Sequence, residues 1–567
     1  MKRSNTKAKQ KRFDPPAVAA SLLAAVKRDL SRPSSCMVNS EDSRMMFADR
    51  QCNDFLKKFV ATPNQLGEVE ALTFKKFLDV NEHLSAFNTR SVLTEDERIQ
   101  STSTERSRIL LRARALIRYV LTDFTEDEWF LACKNSQGAS LGVPFKDTSV
   151  EAKLKFPISA TSRVKSLFDR YLNFDTTLKL ALYNYNASTP FGSEIEVVEG
   201  SRATTVPKTA EIRRMIAIEP TGNMFFQQGL MHLMYRRMTA VGLDVQCLPT
   251  RHRQLALESS ITAQNATIDF SSASDCVSIE LLRWLLPPRW FYVVDRVRSP
   301  RMLVNNKWVD LNMISTMGNA VTFPLETLVF WSLAQACRFH QYKTNSLFPK
   351  GWEDFNYCSV FGDDCILPSS LSDLFISITE SLGFIVNNEK SFTKNEGFRE
   401  SCGGDYLHGI NVRPFYLKAP TSNRASALEP WLYIIANNLS KKYMSYFGVT
   451  SYIYDKALYE LIFRLFRDYK LRIKLVPDYF PDDSGLKMSQ DIERLSACYP
   501  MKLSRIRADK HGVINFTFCT FRYRKQIVKD PYIRYALWLK IPGTYDYFGP
   551  VDCPRPEPLR SNGGYVV

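Results

Sequence analysis

The sequence predicts an α+β protein whose short strands carry acidic side chains and whose helices lie mainly to either side of them. Three observations carry that expectation. Tyr357-Cys-Ser-Val-Phe-Gly-Asp-Asp-Cys-Ile-Leu-Pro368 sets two apolar, strand-like runs around a reversal at Gly362, which reads as a β-hairpin with Asp363 and Asp364 at its tip. Ala266-Thr-Ile-Asp-Phe-Ser-Ser-Ala-Ser-Asp275 opens as a second apolar strand from which Asp269 projects. Helical periodicity dominates residues 31–150 and returns beyond Pro420, whereas residues 260–420 alternate strand and helix patterns.

Taken from the N-terminus, Lys2, Arg3, Lys7, Lys9, Lys11 and Arg12 precede the apolar run 17–26, a pattern that mimics a signal peptide. Asp14-Pro-Pro16 separates the two parts, and the apolar run continues into Lys27-Arg28-Asp29-Leu30. A basic arm followed by an amphipathic helix fits better than secretion. Residues 105–124 alternate Arg106, Arg108, Arg112, Arg114 and Arg118 with a Leu/Ile stripe, which predicts a helix with a solvated basic face or, alternatively, a template-channel lining. Residues 201–214 are sharply basic. Leu311-Asn-Met-Ile-Ser-Thr-Met-Gly-Asn-Ala-Val-Thr-Phe-Pro-Leu-Glu326 is a glycine turn leading into a long apolar helix, with Asn319, Thr322 and Glu326 near one side. A glycine there lets backbone approach a ligand closely, although a plain turn before a buried helix has the same look. The tail interleaves aromatics and cations in Phe521-Arg-Tyr-Arg-Lys525 and Tyr532-Ile-Arg-Tyr-Ala-Leu-Trp538, as in base-stacking surfaces or in a half-buried strand.

Bulk properties narrow the function. The 567 residues fit about three or four domains or subdomains. A net charge of +16 favours a polyanionic partner, nucleic acid before membrane surface. No stretch approaches the ~18 continuous apolar residues of a membrane span. The twelve cysteines include no C-x-x-C pair, which predicts reduced thiols in a cytosolic setting. With six histidines and no ligand spacing, zinc is not expected.

Chemistry concentrates in the acids. An Asp-Asp pair in a turn is also ordinary turn chemistry. The second acidic segment changes that balance, because a carboxylate at a strand end beside an acidic hairpin can place three acids around two metals. Such sites align an attacking and a leaving oxygen on phosphorus. Hard oxygen ligands suit Mg²⁺, which keeps waters and takes other ligands from phosphates.

Together these segments resemble the palm motifs of RNA-directed RNA polymerases, and more closely the replicase catalytic beta subunit of single-stranded RNA bacteriophages, the Qβ-like leviviruses. The likeness runs through Thr204-Thr-Val-Pro-Lys208, Arg214, Ile216-Ala-Ile-Glu-Pro220, Asn223-Met-Phe-Phe226, Leu286-Pro-Pro288 and Arg298-Ser-Pro300. It continues in Met317-Gly-Asn319, Gly362-Asp-Asp364, Ile366-Leu-Pro-Ser369, Phe398-Arg-Glu-Ser-Cys-Gly403 and Pro414-Phe-Tyr416. The resemblance implies a right-hand polymerase fold: an N-terminal region and fingers over 1–258, a palm of antiparallel sheet and helices over 259–420, and a helical thumb with the C-terminal region over 421–567. It implies that Asp269, Asp363 and Asp364 are catalytic and hold two Mg²⁺ ions, with Mn²⁺ as a substitute. Lys208 and Arg214 are implied at the triphosphate, and Asp275, Gly318 and Asn319 at the incoming nucleotide's sugar. Lys390 is a candidate general acid for pyrophosphate departure, with a plain surface lysine as the alternative.

The same resemblance implies a single-stranded RNA template, ribonucleoside triphosphates, and work in the cytoplasm of a bacterial host without membrane attachment. It also implies assembly with host elongation factors Tu and Ts, helped by a small-subunit ribosomal protein and an Sm-like host factor. The chain departs from the pattern at Glu211, where a second lysine is expected, and at Arg213, Met317 and Glu326. Two rivals stand beside this reading. A reverse transcriptase would place a bulky aromatic about five residues after the first acid, where this chain has the small Ser274. A non-catalytic RNA-binding virion protein would leave three acids in a cationic chain unexplained.

Overall fold

The computed structural model describes residues 12–31, 41–60, 66–88, 93–136, 138–143, 148–346, 357–393, 396–447, 456–487, 502–504, 507–508, 514–521, 525–540, 546–548 and 558–566. The basic arm at residues 2–11 and the cluster Arg522-Tyr-Arg524 lie outside them.

Local sequence explains the first helix, Pro15–Leu30. Proline lacks the N–H that a first helical turn leaves unpaired anyway, and Ala19, Leu22, Val26 and Leu30 recur at helical spacing and are buried. Asp29, also buried, reaches across the chain. Its carboxylate accepts the Ala457 and Leu458 backbone N–H groups at 2.7 and 3.0 Å and the Tyr443 hydroxyl at 3.1 Å. An anion at the start of the Ala457–Asp468 helix is stabilised by that helix's unpaired N–H groups. Phe13, Phe47, Phe55 and Phe59 accordingly share one hydrophobic core with Trp431, Leu432, Ile435, Leu458 and Ile462. Asp405 ties the same parts together, fully buried between the guanidinium groups of Arg50 (2.5 Å) and Arg413 (2.8 Å).

The larger core surrounds the Thr322–Tyr342 helix, which is apolar on nearly every face and therefore almost wholly buried. It packs against the Glu105–Leu121 helix on one side and the strand Ser359–Phe361 on the other. The basic face of Glu105–Leu121 is not simply solvated, as expected, but largely partnered. Arg106 pairs with buried Glu97 at 2.7 Å, Arg112 lies over the Phe339 ring, and Arg114 over Trp284. Flat guanidinium groups stack well on aromatic faces, so these arginines serve packing.

Two sheets position the acidic and basic motifs. The strands Asn265–Ile268, Asp364–Pro368 and Ser359–Phe361 form an antiparallel sheet in that order. A four-stranded sheet runs in the order Arg213–Ile218, Gly200–Pro207, Arg301–Val304, Lys307–Asp310. In the tail, residues 532–538 belong to a helix, Pro531–Lys540, and not to a strand. Ile533 and Ala536 are buried three residues apart, Tyr532 and Tyr535 point outward, and the Asp530 carboxylate accepts the Ile533 N–H at 2.8 Å. Asp-Pro before an apolar stripe is a helix start, and it outweighs the β-propensity of the aromatics. Among the described residues no helix is long and apolar enough to cross a membrane.

Candidate active site

The register of the three-stranded sheet brings the acids together. Cys365 pairs with Ile268 in the last rung between the two strands, so Asp364 and Asp269 each stand one residue beyond it. Asp363 sits exposed at the hairpin tip. That tip is held from below: Gly362 has φ +63°, and its N–H donates to the Thr327 hydroxyl at 3.0 Å. A side chain at Gly362 would meet the Phe323 ring at 2.7 Å, so this turn needs glycine for both conformation and space.

Each carboxylate is gripped by its surroundings. Asn387 donates to Asp269 Oδ2 at 2.7 Å, and the Asp269 N–H donates to Ser391 Oγ at 3.1 Å. Burial, then the neighbouring Asp363, raises the Asp269 pKa, with Lys390 acting against them. Asp364 accepts the Cys402 N–H at 3.1 Å, and burial followed by Asp363 pushes its pKa to about 7. His252 braces this region as a neutral ring. It lies 2.9 Å from both Ser359 Oγ on the hairpin and Ser401 Oγ beside Cys402, and burial lowers its pKa to about 3. Cys402 lies in the Phe398–Gly403 motif, whereas Asn387 and His252 have no site signal in sequence and only the fold brings them here.

The glycine turn faces the acids. Gly318 has φ +114°, and a side chain there would collide with the Ala217 carbonyl. The Ala217 N–H donates to the Met317 carbonyl at 2.8 Å, which fastens the turn to the strand carrying Arg214. Burial pushes Asp275 to about 7, the Met317 N–H and Ser274 bond to it, and its Oδ1 has no hydrogen-bond partner. Asn319, 6% exposed, accepts the Val321 N–H through Oδ1 at 3.0 Å and leaves Nδ2 without a partner. One orphan acceptor and one orphan donor therefore flank the Met317–Asn319 turn. Glu326 is buried on the following helix. Burial first, then Asp363, Asp275, Asp269 and Asp364, hold its pKa well above the usual carboxylate range.

The cations come from the other sheet. Lys208 lies in the turn between Gly200–Pro207 and Arg213–Ile218, whose register pairs Val206 with Arg214. Burial, then Arg214 and Lys390, lowers the Lys208 pKa, while Asp269 and Asp363 pull the other way. All five groups thus share one electrostatic neighbourhood. Arg213 is turned aside: its guanidinium donates to the Thr205 hydroxyl at 2.6 Å and carbonyl at 2.8 Å. Lys390 lies 3.6 Å from Glu400; although burial alone would lower its pKa, Glu400, Asp269 and Asp364 hold it above the ordinary value. Its side chain is 46% exposed, so it is a surface lysine that also lies within the field of the acids.

The donor set suits a hard cation. Three aspartates offer only oxygen, and their mutual repulsion is what a cation relieves. Among the described residues no three His, Cys, Asp or Glu side chains close into a metal cage of their own.

Acids at adjacent strand ends within the electrostatic reach of a cation-bearing hairpin are the arrangement a nucleotide polymerase needs, and comparison with known proteins identifies the class. A family model described as RNA replicase, beta-chain matches residues 15–489. The RNA-directed RNA polymerase beta chain of Enterobacteria phage fr is 31% identical over 409 residues, which cover 72% of this chain and 68% of that one. The corresponding chain of Escherichia phage MS2 is 32% identical over 354 residues, 62% of this chain and 59% of that one. The beta subunit of Escherichia virus Qbeta is 38% identical over 256 residues, 45% and 40% of the two chains. Among solved structures, the RNA-dependent RNA polymerase of bacteriophage phi12 is similar over 81% of this chain and 77% of that one, at 12% identity and a TM-score of 0.35. The chain belongs to the RNA replicase beta-chain family and is an RNA-directed RNA polymerase with an α+β fold.

Proposed function

We propose that the chain copies single-stranded phage RNA as the catalytic subunit of a replicase, by nucleotidyl transfer at Asp269, Asp363 and Asp364. The observation that carries this is the pairing of Cys365 with Ile268, which sets Asp364 and Asp269 on facing strand ends below the Asp363 tip. These residues would hold two Mg²⁺ ions, or Mn²⁺ in their place, which when bound would activate the primer 3′-hydroxyl and neutralise phosphate charge. Lys208 and Arg214 grip the triphosphate through charge-assisted hydrogen bonds. Arg213, committed to Thr205, adds nothing to that grip. Asp275 Oδ1 and Asn319 Nδ2, an acceptor and a donor, complement a ribose 2′-hydroxyl, which both donates and accepts. Gly318 lets its turn pack tightly against the Ala217 carbonyl, which positions the neighbouring Asn319 for the sugar. Ser274 leaves room for that hydroxyl, which favours ribonucleotides and speaks against a reverse transcriptase. Lys390 stays protonated beside its carboxylates, as the proton donor to departing pyrophosphate must be.

Fingers up to residue 258, a palm over 259–420 and a thumb from 421 fit this reading, with the N-terminal helices docked onto the thumb. The template is tracked by its phosphates, in keeping with the +16 charge. The work takes place in the bacterial cytoplasm alongside elongation factors Tu and Ts, a ribosomal protein and an Sm-like factor. The decisive experiment is Asp363→Asn, an amide of the same shape without the charge. Nucleotide incorporation with Mg²⁺ should disappear while RNA binding stays nearly intact, and near-normal synthesis would sink the assignment.

A further inference from the structure

Several motif fragments legible in the sequence converge on one buried polar knot beneath the glycine turn. Gln227, fully buried on the helix Thr221–Ala240, donates through Nε2 to the Val297 carbonyl at 2.9 Å and to the Glu219 carboxylate at 3.3 Å. Its Oε1 accepts the Ala320 N–H at 3.4 Å. Glu219 also accepts the Ser299 hydroxyl at 2.7 Å, and Asn223, one helical turn before Gln227, donates to the same Val297 carbonyl at 2.9 Å. None of these side chains is among the acids, the cations or the sugar-facing groups. The knot nonetheless touches the turn at Ala320, the residue after Asn319.

The turn itself is internally stiff. The Asn319 N–H donates to the Thr316 carbonyl at 3.0 Å, and the Thr322 hydroxyl donates to the same carbonyl at 2.8 Å. Such a unit shifts as a body, so its aim depends on its ties to the surroundings. Ala217 holds it at Met317 and Gln227 holds it at Ala320. We propose that Gln227 is a positioning residue for sugar selection: through the Ala320 N–H it fixes the Met317–Asn319 turn so that Asn319 Nδ2 meets the ribose 2′-hydroxyl. Glu219 and Val297 in turn fix the Gln227 amide, which settles which of its ends is the acceptor. The proposal rests on the reading of Asn319 as a sugar contact. It assigns a task to the Ile216–Pro220, Asn223 and Arg298–Pro300 segments that the reaction itself does not use.

The test compares (kcat/KM) for a ribonucleotide and its 2′-deoxy analogue on one primer–template, using the full chain with whatever bacterial proteins co-purify. Gln227→Met removes the hydrogen bonds at similar volume. It should lower the ribo/deoxy ratio roughly fivefold to tenfold, the worth of one well-placed hydrogen bond, chiefly through the ribonucleotide. Glu219→Gln, which leaves Gln227 tied to Val297, should lower it by roughly twofold to threefold and covers the case that Gln227→Met does not fold. In Asn319→Ala the contact is already gone, so adding Gln227→Met should change the ratio no further. An unchanged ratio in foldable Gln227 or Glu219 variants, with only a lower melting temperature, reduces the knot to packing and overturns the proposal. Additive effects in the double variant overturn it too. A wild-type ratio in Asn319→Ala alone overturns the sugar-contact reading first, a result distinguishable from the others.

Discussion

Asp364→Asn should make the metal-free protein more stable while damaging the enzyme. In the folded chain the Asp364 carboxyl titrates at about 7 against 3.8 for a free aspartate, because it is desolvated and sits beside Asp363. A shift of roughly three pH units corresponds to about 4 kcal/mol as an upper figure. The sign follows from linkage. An acid whose pKa is raised by folding contributes stability that is fully present below about pH 4 and is lost as the pH rises through about 7. Asparagine never ionises and keeps an oxygen for the Cys402 N–H that now bonds Asp364 at 3.1 Å. Urea unfolding in EDTA should therefore find variant and wild type equal at pH 4 and the variant ahead by up to about 4 kcal/mol at pH 8. Millimolar Mg²⁺ should close much of that gap at pH 8, since a bound cation favours the ionised carboxylate. A gap that is the same at both pH values, or untouched by Mg²⁺, would refute the claim that these acids are held under mutual repulsion.

Three further outcomes are expected from the same geometry. Lys208→Ala and Arg214→Ala should each raise the nucleotide KM by roughly tenfold, the loss of one charge-assisted bond, and leave the RNA Kd nearly unchanged in a filter-binding assay; the reverse pattern would make this hairpin a template-tracking element. Asp405→Asn strands Arg50 and Arg413 beside a neutral amide and should cost about 3 kcal/mol in equilibrium unfolding, with the first helices released to proteolysis; a loss below about 0.5 kcal/mol would show that the two arginines are adequately hydrated without it. Expression in bacteria followed by affinity capture and mass spectrometry should recover stoichiometric elongation factors Tu and Ts; a soluble, monomeric and fully active single chain would defeat the partner proposal and leave the polymerase standing.

The legible part of this molecule is the part whose chemistry is local. Gly362-Asp-Asp364 between two apolar runs can hardly be anything but a hairpin, and the strand before Asp269 is marked by its own apolar run. Even the buried Thr322–Tyr342 helix announces itself by unbroken apolarity. What sequence does not display is the partner that each group finds across the chain. Asn387 and Ser391 stand in the sequence only as neighbours of Lys390, yet they are what hold Asp269. His252 stands alone in its segment and becomes a brace only because two serines, 107 and 149 positions away, meet it in the fold. The arginine stripe of Glu105–Leu121 misleads for the same reason: periodicity gives the face, but not that Phe339 and Trp284 come up to cover it. The Pro531–Lys540 helix is a different failure, since its start signal, Asp530-Pro531, is present in the sequence but is masked by the aromatic content beside it.

These electrostatic features share one cause. Asp269, Asp275, Glu326 and Asp364 all have raised pKa values, and in each case burial is the leading reason. Lys208, in the same neighbourhood, is lowered by burial and by Arg214 and Lys390. A fold selected only for stability would pair such groups with one another, as it does at Asp405 with Arg50 and Arg413. Here Asp269, Asp363 and Asp364 meet at one sheet, with Glu326 on a neighbouring helix, while Lys208 and Arg214 come from another sheet, and the cations offset the acids' repulsion only in part. Under the proposed function a divalent cation would relieve the first set, and a triphosphate that shares the cation's charge would relieve the second. The strain is thus removed most completely when metal and nucleotide are present together. Under the proposed function such a site would bind its two ligands cooperatively, each raising the affinity for the other by the same factor.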